Sequence, residues 1–196
     1  CPMVVAQTAA ELPEGIGGDW FARVQQGIRD GEYRFQLGPA SYRPGKGEVW
    51  QAPNRACDLR LYFDSDGVDI LERSSEDAPT IARLALAGWG RPKGMDTSAP
   101  GDAGGRMERL RGLLTETYTN SAAGLELAWE LTAPPAGDGS LVLALELEHA
   151  GARARAGGVE ILSETGRRLL LQAPSAIDRE GDSQSVAWVI AERDRL

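Results

Sequence analysis

Short runs of strictly alternating apolar and polar residues, each cut off by Gly, Pro or Asp-rich turns, recur along this chain of 196 residues. No other feature restricts its fold as strongly. Between 57 and 63, Cys57, Leu59, Leu61 and Phe63 fall on one face, and Asp58, Arg60 and Tyr62 on the other. That is the period of a strand that buries one side. Asp64-Ser65-Asp66-Gly67 is turn chemistry, with Gly67 suited to a positive φ, and Val68 and Ile70 then resume the apolar face. EYRFQL (32–37) alternates Tyr33, Phe35 and Leu37 against Glu32, Arg34 and Gln36. IARLALAGW (81–89) sets Ile81, Arg83 and Ala85 against Ala82, Leu84 and Leu86. RMERLRG, LLTETYTN, LELAWELT, LVLALELE, VEILS, RRLLLQA and VAWVIAE follow at similar spacing.

One segment has a helical period instead. Trp20, Phe21, Val24 and Ile28 share a face, Asp19 can cap the first turn and Gly31 closes it. The chain therefore reads as all-β, an antiparallel sandwich-like domain with one short N-terminal helix. Residues 1–18 read as a tether, 19–196 as a single β-rich domain, and the Gly/Pro-rich stretch 91–105 as its long interior loop.

Charge and cysteine usage limit compartment and partners. The formal charge of −8 repels a phosphate backbone, so nucleic acid is not an expected partner. No apolar stretch approaches the roughly 20 residues that span a bilayer. A chain numbered from Cys1 and followed by an open Pro/Ala/Thr/Gly stretch reads as a lipoprotein, with Cys1 the lipidated residue and the lipid its only membrane contact. Two other readings also place it outside the cytoplasm. CPMVVAQTAA can be the tail of a signal peptide cleaved near Thr8-Ala9-Ala10, or Cys1 can pair with Cys57.

The chemistry-bearing residues are few. Asp64, Asp66 and Asp69 offer hard oxygen ligands, but the distal bidentate Glu of a calcium loop is missing, and a hairpin turn accounts for them without a metal. Glu126 and Glu130 would stand about 13 Å apart on one strand, outside the window of a paired acid and base. Glu146 and Glu148, about 7 Å apart, fit an inverting pair in spacing only, because Leu141, Leu143, Leu145 and Leu147 claim the core face and leave both glutamates solvated. His149 is the lone histidine, and no nucleophile elbow, dinucleotide or phosphate loop occurs. No catalytic residue and no cofactor are expected. Trp50 and Trp89 border loops and are candidate platforms for a sugar ring, whereas Trp129 and Trp188 read as core.

QAPNRACDLRLYFDSDGVDI (51–70) resembles a motif in the N-terminal β-rich domain of bacterial exported proteins that carry FG-GAP (integrin-alpha-like) repeats. The resemblance continues at LALAGWG (84–90), RMERLRGLLTETYTNSAAGLELAWELTAPP (106–135) and TGRRL (165–169), and covers most of 20–190. It implies a non-enzymatic extracytoplasmic β module, structural or protein-binding, with no catalytic residues to carry over. Thr117 stands where the pattern has Trp, Cys57 where it has His or Gln, and VAWVIAERDRL replaces the usual ending, so a stand-alone form at the bacterial envelope is expected. A carbohydrate-binding module and an accessory subunit of a larger envelope complex are the alternatives. Within the motif, Asn54, Arg55 and Arg60 form an expected polar group, with Glu116 and Glu126 as carboxylate partners across the sheet that would set strand register.

Overall fold

The computed structural model describes residues 31–43, 45–91, 101–103 and 107–191, together with Arg23. The expected tether, Cys1 and, Arg23 aside, the helix over 19–30 lie outside the described residues. The secondary structure described is mostly antiparallel β-sheet, as the alternating runs predict.

Strands are numbered in chain order. A six-stranded sheet runs β1 (Gln36–Pro39), β2 (Glu48–Asn54), β3 (Leu59–Phe63), β4 (Gly67–Glu72), β5 (Thr80–Gly90) and then β10 (Val142–Glu148). A four-stranded meander holds β6 (Gly101–Ala103), β7 (Met107–Arg111), β8 (Leu114–Ser121) and β9 (Gly124–Leu131). A three-stranded meander follows, β11 (Ala150–Arg155), β12 (Gly158–Ser163) and β13 (Arg168–Gln172), with a short ribbon of β14 (Ala176–Ile177) and β15 (Ser183–Gln184).

The first two sheets face each other as a sandwich. Leu61, Phe63, Val68, Ile70 and Leu84 meet Tyr118, Leu125 and Leu127 from the meander. The Phe63 and Tyr118 rings cross edge to face with centroids 5.1 Å apart. Farther along the sheet, Leu86 and Trp89 pack on Leu114, Trp129 and Leu131. Each such side chain taken fully out of water contributes about 1.5–3 kcal/mol, so this seam is the main apolar drive for the pairing of the sheets. The opposite face of the six-stranded sheet is covered locally by its own loops, where Ala40 and Ala78 pack over Val49, Tyr62 and Leu71.

Several local expectations are corrected. Cys57 lies in the 55–58 turn rather than in β3, where Asp58 takes a left-handed φ of 53° and Asn54 Oδ1 accepts the Cys57 amide at 3.0 Å. Strand β1 starts at Gln36, and as a sheet edge it leaves Leu37 exposed opposite Trp50. Ile81 does not share a face with Arg83. Between Ile70 and Leu71 the partner on β5 jumps from Ala82 to Thr80, so Ile81 is the extra residue of a bulge and turns into the core. Gly67 is needed for closeness rather than for a positive φ, since a Cβ there would stand 2.3 Å from the Leu84 carbonyl oxygen. The described part of VAWVIAE, 186–191, forms no strand. With no described sheet facing it, Val189 is 87% exposed and Val186 and Ile190 are exposed too. Trp188 is held only at the sheet margin, its indole N–H donating to the Gln172 carbonyl at 2.8 Å.

Candidate functional site

On the loop-covered face of the six-stranded sheet, two carboxylates and two cations form a closed quartet. Asp69 on β4 stands directly opposite Arg83 on β5, so the pleat alone sets these two side by side. Asp64 enters from the β3–β4 turn and Lys46 from the loop before β2. Arg83 Nη1 reaches Asp69 Oδ1 at 2.7 Å, and its two terminal nitrogens grip Asp64 at 2.8 and 3.0 Å. Lys46 Nζ bridges the same pair, at 2.6 Å from Asp64 and 2.7 Å from Asp69. Each carboxylate thus touches both cations.

The electrostatics follow from this geometry. Burial pushes the Asp64 carboxyl up, but hydrogen bonds from Arg83, Lys46 and the Asp66 amide, with the Arg83 charge, outweigh it and hold the group well below the usual carboxylate range. Burial pulls Lys46 down, and its bonds to Asp64 and Asp69 more than offset that, so its pKa is raised. The hydrogen bond to Asp64 raises Arg83 against the opposing effect of burial. All three stay charged at neutral pH. An open cleft of about 360 Å³ lies over the quartet, with Arg43, Thr80 and His149 on its wall. Arg43 donates to the Thr80 hydroxyl and to the Ala78 carbonyl, bracing the 40–47 loop against β5.

The acids of the DSDGVD turn are engaged by side chains of the chain itself. Asp64 and Asp69 are held by the chain's own cations, while Asp66 accepts from Ser65 at 3.0 Å. Among the described residues no group of three or more His, Cys, Asp or Glu is placed to hold a metal ion. Of the glutamates and histidine weighed for hydrolysis, only His149 lines the cleft; Glu146 and Glu148 lie opposite Ala85 and Arg83 on β10.

The expected polar group around the QAPNRA segment separates into independent pairs. Asn54, fully buried, donates to Asn120 Oδ1 at 2.7 Å and to the Ser121 carbonyl at 2.8 Å. Asn120 in turn donates to the carbonyls of Pro53 at 2.8 Å and Tyr33 at 3.1 Å. Arg55 pairs with Glu32 at 2.9 Å, not with a carboxylate across the sheet. Arg60 lies over the Tyr42 ring, 4.4 Å from its centre. Glu116 is buried beside Arg111, 3.7 Å away, and accepts from the Trp129 indole at 3.2 Å. Glu126 is exposed opposite Thr119.

The platform reading is corrected at Trp89, which is 3% exposed and packed in the sandwich seam; Trp50 is partly buried against the same core. Sequence reasoning missed Lys46, Arg83, Arg111 and Asn120. For Arg83 a signal was present, because it interrupts an otherwise apolar strand beside another, GVDILE, that carries one buried acid. Comparison with protein families, with curated proteins and with solved structures finds no match to this chain.

Proposed function

We propose that the chain is a non-enzymatic extracytoplasmic β module that works by binding a protein partner at the bacterial envelope. The observation that carries this reading is how its polar and apolar groups are used. In the cleft over the quartet, both carboxylates are hydrogen-bonded to Arg83 and Lys46, and these bonds hold Asp64 well below the usual carboxylate range rather than poised as a proton donor. Aliphatic side chains stand on outer surfaces instead, among them Leu162, Leu170 and Ile177. The resemblance of the 51–70 and 106–135 segments to exported β domains supplies the compartment.

The test uses the endogenous protein released from its native membrane fraction with mild detergent. The native particle should carry a second polypeptide. A chain that runs as a monomer at native concentration overturns the reading.

A further inference from the structure

The three-stranded meander has an outer face unlike the rest of this acidic chain. Its inner rows, Ala152–Ile161–Leu169 and Ala154–Val159–Leu171, carry the buried Val159 and Ile161, with Leu169 reaching the main core. By the two-residue alternation, the outer rows are Gly151–Leu162–Arg168 and Arg153–Glu160–Leu170, with Arg155 beyond. Glu160 is shared by Arg155 at 2.6 Å and Arg168 at 3.8 Å, and Arg153 makes no ion pair among the described residues. Three arginines against one glutamate leave this face positive on a chain of net charge −8. Leu162 and Leu170, 44% and 56% exposed, are diagonal neighbours between the arginines.

The strand that carries two of those arginines is also a sheet edge. β11 pairs with β12 on one side only among the described residues, and every residue from Gly151 to Arg155 is exposed. Its other edge presents backbone N–H and C=O groups, with Gly151, Ala152 and Ala154 interleaved with the two arginines. Arg153 and Arg155, two residues apart, stand on one side of that edge, where alternate residues of an added strand would lie.

We propose that β11 is a docking edge for an extended acidic segment of a partner protein, which adds as a further strand and sets alternate carboxylates against Arg153 and Arg155. A flat anionic membrane would use the arginines but not the strand edge, and the coincidence of both on one strand favours a peptide. This deepens the protein-binding reading and rests on it.

The probe is a fluorescein-labelled ten-residue peptide alternating Glu and Val, titrated into the purified chain by anisotropy. Saturable binding is expected that weakens at least tenfold in three cases: on N-methylation of alternate peptide amides, in R153E/R155E with unchanged melting temperature, and on replacing Glu by Lys. N-methylated peptide binding as well as the parent overturns strand addition. So does failure of the parent peptide to bind, or binding of phosphatidylglycerol vesicles alone. A native particle that retains its second polypeptide while the peptide fails would sink this inference and leave the binding reading standing.

Discussion

Asn54 and Asn120, 66 residues apart in the chain, join the β2–β3 turn to the end of β8 through a 2.7 Å hydrogen bond. The bond closes a larger circuit. Asn54 Oδ1 receives the Cys57 amide, and Asn120 Nδ2 serves the Pro53 and Tyr33 carbonyls. One side-chain pair therefore satisfies backbone groups from three segments where the two sheets meet, and no water is needed to do it.

Asn54→Ala should destabilise the protein by about 3 kcal/mol, because it strands the Asn120 oxygen, the Ser121 carbonyl and the Cys57 amide in a buried site. Urea unfolding measures the loss. Asn120→Ala should cost a similar amount, and the double variant much less than the sum of the two, since both remove one network. Simple additivity would mean that the pair does not act as a unit.

Within the charged quartet, Arg83→Met should cost about 3 kcal/mol by leaving Asp69 and Asp64 short of their shared cation. Adding Asp69→Leu to it should recover part of that loss, because an apolar pair of similar volume replaces a broken ion pair. A double variant less stable than Arg83→Met would contradict this account of the quartet.

Acid should act through Asp64. Its folded-state pKa is depressed, so its contribution to stability is complete above the unfolded value of ~3.9 and is lost as pH falls through the lower folded value. Lys46 has the opposite sign: its pKa is raised, so its contribution is complete below the unfolded value of ~10.4 and is lost as pH rises through the folded one. Thermal melts should therefore show neither group between roughly pH 5 and 8, a window that lies well inside the two unfolded values. Asp64→Asn should flatten the fall below about pH 4, and Lys46→Met the fall above about pH 10.

Gly67→Ala should lower stability by about 1–3 kcal/mol, since the new methyl would sit 2.3 Å from the Leu84 carbonyl oxygen across β4 and β5. Gly151→Ala is the control, with nothing within 4 Å of the added atom. Equal melting temperatures for the two variants would show that β4 can move away from β5 at little cost.

Trp89→Ala should cost about 3–5 kcal/mol through the cavity it opens against Leu86 and Leu114. Fractional iodide quenching of the remaining fluorescence should rise in Trp89→Phe, because the indole removed is a buried one that the ion does not reach. Increased protection from iodide in that variant would place Trp89 at the surface after all.

The alternation of apolar and polar residues was enough to locate β3, β4, β8, β9, β12 and β13 within a few residues, because a strand that buries one face writes its period directly into local sequence. The same rule failed where a neighbour, rather than the strand itself, chose the face. Ile81 turns inward because β4 and β5 slip by a residue, and Leu37 stays exposed because no described sheet lies over β1. Residues 186–191 have the pattern of a strand and no partner among the described residues, and they are irregular. Trp89 looked like a loop-border platform until the facing meander covered it.

The site divides in the same way. That Asp64 shapes a turn, through bonds of 3.1 Å from the Asp66 and Gly67 amides, is local and was readable from DSDG. That Arg83 and Lys46 occupy its other lone pairs, and that Arg55 turns to Glu32 instead of Glu116, was not. Turn and strand propensities act over a few residues, so sequence by itself determined the β class, the hairpins and the acidic charge of this protein. Which charges meet, which tryptophan is buried and which strand edge stays open depend on segments tens of residues apart, and sheet pairing in the tertiary structure decided them.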